Sequence, residues 1–418
     1  MQPRQGSRAT GIMPNSAGKR NRTAILGFEV LWGLSIPFVL VTTVLPGYLN
    51  ALGLSKVLIG MVPALFSGGI ALAQPLSLYV LGSGPGRFRK MLWAYRGAGM
   101  CYVVMALFVL LLPSEAVLPR ALSFFACLSA FVLLVGFGDP HYIASIMDTI
   151  DPRERGWFFG LRFVCAGTGG LIAGGAASRV LGWLCPPQSF GLSILVGGAI
   201  IVIATLWFSR FRPGERAACE PRLSVAECFG VVVRIARGNR RFQLFLAAIC
   251  LCVLMQGIAV FVVLSIRTRL HAGDSVLGWL GSIELGAWVV FALLLGRIGD
   301  RLSYRAAFGA GIALYLAALV TVQFGSGQLV LFAGYFLASV LGPTLAVVGF
   351  HLGYACSGET NVEQVYSGIS VAEAPCRIAG PMLAGVLVQT SGYTPVLVCA
   401  AAAGVIVLVL VCAMHSGR

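Results

Sequence analysis

The sequence predicts an all-α polytopic membrane protein, with twelve transmembrane helices arranged as two pseudo-symmetric six-helix halves. Three observations predict it. The chain is 58% hydrophobic and only 11% charged, whereas soluble globular domains carry about 25% charged residues. Its apolar residues gather into runs of the length that crosses a bilayer, roughly 20 residues each. The first and second halves of the chain also echo one another. Thr168-Gly-Gly-Leu-Ile-Ala-Gly174 resembles Ala379-Gly-Pro-Met-Leu-Ala-Gly385, and Val57-Leu-Ile-Gly60 resembles Ser275-Val-Leu-Gly278, as in an internally duplicated membrane bundle.

In chain order, residues 1–24 form a basic tail, expected to be disordered and cytoplasmic. It is not expected to be a cleaved signal peptide, because the apolar run that follows is too long and no small-residue cleavage site appears. Spanning segments are predicted at 25–49, 57–81, 91–113, 121–147, 157–181, 189–210, 242–266, 275–297, 304–325, 327–350, 364–390 and 394–415. Breaks between them fall at Gly, Pro and charge clusters. This divides the chain into a first half at 25–211, a linker at 212–241 and a second half at 242–418. Within the linker, Ser224 and Glu227 have capping-box spacing. Leu223, Phe229, Val232, Val233 and Ala236 follow as one apolar stripe, so a short helix lying on the membrane surface or on the bundle is expected.

The formal net charge is +15. The bases sit in loops between apolar runs rather than on one soluble face, so topology explains them and nucleic acid binding does not. Of the 30 Lys and Arg residues, 24 fall in the tail and in loops on one side. Lys56, Arg120, Arg179, Arg267 and Arg269 fall on the other, and Arg377 lies within a segment. Arginine-rich loops stay in the cytoplasm, which predicts a cell (inner) membrane protein with both termini inside. The loop at 351–363, with Glu359 and Glu363 and no base, is the exception. The twelve cysteines include no C-x-x-C, so neither a disulfide framework nor a metal site is expected.

Polar residues inside the spans are the candidates for function, because a charge at membrane depth is costly and usually faces a bundle interior or a wet cavity. Glu373 and Arg377 stand four residues apart, on one helix face, among Pro375, Gly380 and Pro381. At about 1.5 Å per residue, Glu284 lies about 14 Å below the outer face and Arg377 about 20 Å above the inner one. Gln256, Gln74, Trp32, Glu29 and Asp139, which precedes Pro140, complete the set. Each has a plainer reading. Glu373 and Arg377 can be a helix staple. Glu29 can snorkel to the cytoplasmic face, and Asp139 can cap a helix broken at Pro140. Gln74 and Gln256 can be helix–helix hydrogen bonds, Trp32 can be packing, and Gly170-x-x-x-Gly174 is expected to be close helix packing. His141 and His351 lie near cytoplasmic ends. No G-x-x-x-x-G-K-[ST] and no H-E-x-x-H occur, so neither an ATP-driven pump nor another enzyme is expected.

The loop after the eighth segment reads Gly296-Arg-Ile-Gly-Asp300-Arg301-Leu-Ser-Tyr-Arg305. Twelve helices in two halves, with this loop at this place, resemble the major facilitator superfamily of secondary transporters over essentially the whole chain. The resemblance implies a cytoplasmic gate made of Asp300, Arg297, Arg301 and Arg305, with Asp300 facing the start of the fifth segment near Gly156. An Asp is favoured at the positive end of a helix. In the first-half copy only Gly86-Arg-Phe-Arg-Lys90 survives, leaving Arg87 or Arg89 to pair with Asp148 or Asp151. The fourth segment lacks the membrane Arg of the family's proton-coupled drug exporters, and the fifth lacks their Gly-Pro. The implied function is a secondary transporter that moves a small organic solute by alternating access, with proton coupling. Arg377 would then bind an anionic group or reset a carboxylate, and Glu373 or Glu284 would carry a proton. The implied partners are the solute, a proton or other ion, and the lipid bilayer. The chain would act as a monomer without a cofactor. The competing reading is a non-transporting assembly factor or sensor of the same fold.

Overall fold

A computed structural model of the chain describes residues 15–81, 86–113, 115–150, 154–212, 225–358 and 362–414. Every regular element among them is a helix. The first half comprises α1 (Asn15–Ser35), a 3₁₀ turn at Ile36–Phe38, α2 (Val44–Ala51), α3 (Lys56–Leu81), α4 (Arg87–Leu111), α5 (Val117–Thr149), α6 (Arg155–Trp183) and α7 (Gln188–Phe208). The linker helix is α8 (Val225–Gly238). The second half comprises α9 (Arg240–Gln256), α10 (Ala259–Arg269), α11 (Ser275–Arg301), α12 (Tyr304–Phe324), α13 (Gln328–Ala338), α14 (Leu341–Pro343), α15 (Phe350–Ser357), α16 (Val362–Ser391) and α17 (Tyr393–Ala413).

Eleven described stretches are long and apolar enough to cross a membrane. The first crossing is made in two pieces, α1 and α2, because Pro37 lacks the amide that would continue α1 and a 3₁₀ turn follows instead. The seventh crossing breaks at Gly257 between α9 and α10. The tenth breaks at Ser339 and Val340 and then passes through α14 and a π-helical turn, Thr344–Gly349, before α15. It runs to Ser357, further than the expected end at 350. The eleventh keeps Pro375 and Pro381 inside one unbroken helix, α16.

α1 begins at Asn15, earlier than the predicted tail allows. Its first turns are anchored: the buried Asn21 side chain donates to the Arg212 carbonyl at 2.8 Å and accepts from the Arg212 amide at 3.0 Å. This ties α1 to the end of α7. Residues 1–14 lie outside the described part. So does Ser224, and with it the proposed capping box. α8 packs on α16 and α9 with Val232 and Ile235 buried and Phe229 exposed, so it lies on the bundle.

Each half packs on itself, α4 against α5 and α7, α1 against α6 and α7, α12 against α13 and α17, and α9 against α16 and α17. The halves meet along two seams, α3 on α16 and α6 on α11. Glycine makes both seams close. A Cβ on Gly60 would strike the Pro381 carbonyl, and one on Gly385 would lie 2.6 Å from the Lys56 carbonyl oxygen. On the other seam a Cβ on Gly278 would strike the Ser178 backbone, and one on Gly174 would strike Ser282. Gly60, Gly278, Gly174 and Gly385 all belong to the internal repeat, at matching positions. Small residues let helix backbones approach in this way, and duplication has placed them on both sides of one interface.

Candidate functional site

The polar side chains buried between these helices form three groups. The first lies within the first half. The Glu29 Oε1 atom on α1 accepts from Arg162 Nε on α6 at 2.6 Å and from the Tyr142 hydroxyl on α5 at 2.5 Å. The Arg162 guanidinium also lies 4.8 Å from the Tyr142 ring centre. All three residues are buried. This corrects two expectations. Arg162 is not a loop base counted for topology, and Glu29 does not snorkel to a face. Removing either charge from water is costly, and only the partner's charge and hydrogen bonds offset it.

Beside this pair, the Asp139 carboxylate on α5 accepts from the Tyr95 hydroxyl on α4 at 2.7 Å and from Gln74 Nε2 on α3 at 3.4 Å. Pro140 lies inside α5 without ending it, so Asp139 does not cap a helix there. Trp32, Phe28 and Tyr95 form an aromatic corner, with ring centres 5.5 to 5.9 Å apart. Phe28 and Tyr95 are buried and Trp32 is half-buried. His141 is buried and its Nε2 lies 3.2 Å from Ser77 Oγ, so it sits in a helix interface.

The second group joins the halves. Glu284 on α11 accepts from the Thr42 hydroxyl at 2.7 Å and from the Tyr335 hydroxyl on α13. Thr42 lies in the unwound link between Ile36–Phe38 and α2, so the break in the first crossing presents a hydroxyl that an intact helix would have spent on its own turn. The third group is on α16, where Arg377 Nη2 donates to Glu373 Oε2 at 2.6 Å. Glu373 is buried, while the Arg377 side chain is 27% exposed and its Nε is buried without an acceptor. Close approaches of Gly257 to Pro381 and of Gly380 to Leu254 put the break after Gln256 beside this stretch. The Gln256 side chain is exposed.

In the loop after α11, Asp300 is exposed and accepts from the Tyr304 hydroxyl at 2.8 Å. Tyr304 stacks on His351, with ring centres 4.6 Å apart, and His351 Nδ1 lies 2.8 Å from the Val347 carbonyl. Asp300 is therefore held within its own half. The side chains around Gly156, of Arg87 and of Asp148, and all of Asp151, lie outside the described part. Arg297 and Arg301 are exposed. Arg305 lines a cavity of about 350 Å³ with Asn239, Arg241, Leu352 and Cys356. At the opposite end the bases cap helix termini. Arg269 donates to the Val322 and Gly325 carbonyls, and Arg120 to Leu112. Lys56 Nζ donates to Asn50 at 2.6 Å, and Arg267 pairs with Asp274 at 2.5 Å.

Three broken crossings, two glycine seams and two six-helix units are an arrangement that can be compared with solved proteins. A variant of the nucleoside transporter NupG superposes with a TM-score of 0.74 over 94% of this chain and 100% of that one, at 14% identity. The chain has the major facilitator fold. A bacterial homolog of the human lysosomal transporter Spinster, in an inward-facing and unoccupied conformation, gives a TM-score of 0.67 at 15% identity over 96% of this chain and 97% of that one. The human organic anion transporter MFSD10 gives 0.61 at 17% identity, over 96% and 100%. No protein-family model matches the chain, and no curated protein matches it in sequence.

Within the major facilitator fold, five residues of these groups escaped sequence reasoning: Thr42, Tyr95, Tyr142, Arg162 and Tyr335. Arg162 alone carried a signal, since it lies inside the apolar run 157–181. The tyrosines read as ordinary span residues, and Thr42 matters only because the helix breaks beside it.

Proposed function

We propose that the protein is a secondary active transporter that moves a small organic solute across the cytoplasmic membrane by alternating access, with proton coupling. One observation carries the reading. The two halves are sealed along seams built from repeat-related glycines, while Trp32, Gln74, Asp139, Glu284, Arg377 and Gln256 stay partly or fully accessible at the level of the helix breaks. A seam whose closest approaches are made by glycines is one that can part and re-form.

In this reading residues 25–211 and 242–418 are the two moving bodies, 212–241 links them, and both termini are cytoplasmic. The seams run toward the ends of α3 and α11 that carry Lys56 and Ser275, which positive-inside topology puts outside. The exposed Asp300 loop lies at the inner end, with Arg87 and Asp148 as its expected counterparts. In this reading the outer end is the closed one. Arg377, with its partly accessible guanidinium, acts on acceptor groups of the solute. Glu373 and Glu284 are the candidates to carry the proton. The solved neighbours of this fold include transporters of nucleosides, organic anions and peptides, which supports a small organic solute. Purified protein is first screened for stabilising ligands. Uptake of each hit into proteoliposomes is then measured with and without a pH gradient. Bound ligands with no flux under any gradient would leave the competing reading, a sensor or assembly factor of this fold.

A further inference from the structure

Among the described residues, four carboxylates lie inside the spanning helices away from their ends: Glu29, Asp139, Glu284 and Glu373. Two of them are neutralised by guanidinium groups, Glu29 by Arg162 and Glu373 by Arg377. Glu284 is engaged across the halves by Thr42 and Tyr335. Asp139, like Glu284, has only neutral donors, Tyr95 and Gln74, but it lies within one half and beside the aromatic corner. A carboxylate in such a setting is costly until a positive charge joins it.

Asp139 is also half-buried, so a solute can reach it. The aromatic corner stands beside it through Tyr95, whose ring is 5.5 Å from Trp32 and whose hydroxyl is on Asp139. Trp32 is the accessible ring of the three. The face of an indole attracts a cation, most strongly where water is excluded. We propose that Asp139 and the face of Trp32, positioned by Tyr95 and Gln74, bind a positively charged ammonium group of the transported solute. The substrate class is thus an organic amine or quaternary ammonium compound. This rests on the transporter reading but adds the charge of the cargo to it.

The test uses purified full-length protein in detergent and a matched pair of probes. Benzyltrimethylammonium carries a permanent charge, and neopentylbenzene is its neutral isostere. Binding is followed by calorimetry and by thermal shift. The cation binds and the isostere binds at least about ten-fold more weakly, as expected for loss of an interaction with a charged group. Asp139→Asn reduces cation affinity by a similar factor. Trp32→Leu, at a ring less committed to packing, reduces it several-fold while leaving the fold's melting temperature close to the parent. That second variant keeps the test decisive if Asp139→Asn fails to fold. Equal binding of cation and isostere, no binding of the cation, or unchanged affinity in either folded variant would overturn the proposal. In that case Asp139 is a proton site or a structural group. Flux of an anionic or neutral solute without cation binding sinks this site and leaves the transporter reading. Cation binding without flux does the reverse.

Discussion

Arg162 on α6 meets Glu29 on α1 at 2.5 Å, and it lies 211 residues before Glu373, the acid of the α16 ion pair. The same offset, 379 minus 168, separates Thr168 from Ala379 in the internal repeat. Each half thus places a guanidinium–carboxylate pair at the same level of its fifth crossing. In the first half the pair bridges two helices. In the second it runs along one. Only the first can hold helices together.

Breaking the bridging pair is therefore expected to cost more than removing it. Glu29→Gln or Arg162→Met alone leaves a buried charge unmatched and destabilises the protein by about 3–5 kcal/mol. The double variant recovers most of that loss. Thermal unfolding in detergent of the three variants measures it, and strictly additive losses would contradict the pairing.

On α16 the expectation concerns activity. Glu373→Gln with Arg377→Met gives a folded, inserted protein that no longer transports. Arg377→Met alone is less stable than the double variant, because Glu373 loses the partner that offsets its burial. Flux and melting temperature for both variants check this. Parental flux in the double variant would make the pair a staple.

The seams are expected to control which end is closed. Gly60→Ala with Gly278→Ala drives a methyl group into the Pro381 carbonyl and the Ser178 backbone, both in the opposite half. Spin labels at Ala51 and His271, exposed at that end, should move apart while helicity is kept. An unchanged distance distribution would show that the seam yields locally instead.

The orientation has its own test. Cysteines replacing Arg4 or Arg418 in a background without accessible thiols should resist a membrane-impermeant reagent applied to intact cells. A cysteine at His271 should react. Labelling of either terminal position would reverse the assignment of sides.

Asp274 links stability to pH. Burial pushes its carboxyl above the usual range, and Arg267 only partly opposes this. A raised folded value means a contribution that is fully present below the unfolded value of about 3.9 and is lost as pH rises through the folded one. Asp274→Asn should therefore flatten the acid-side increment in melting temperature while leaving stability near neutral pH no lower than the parent. A larger loss at neutral pH than at acid pH would mean that the ion pair outweighs burial.

Composition and run length were enough to determine a twelve-crossing helical bundle, because hydrocarbon leaves the backbone few alternatives to a continuous helix. Charge asymmetry and the repeat likewise predict two related halves and an orientation. The glycines that close the seams were visible as repeat members, although not as contacts. Tertiary structure decided the rest. Whether Glu29 reaches a face or a partner depends on Arg162, which comes from a helix 133 positions later. Whether Thr42 bonds its own helix or Glu284 depends on the break at Pro37. Whether Asp139 caps a helix or waits for a cation depends on Tyr95 and Gln74, from two other helices. A charge inside a membrane announces itself in one dimension, but its role is set by what stands against it, and that neighbour is chosen by helix packing rather than by sequence distance.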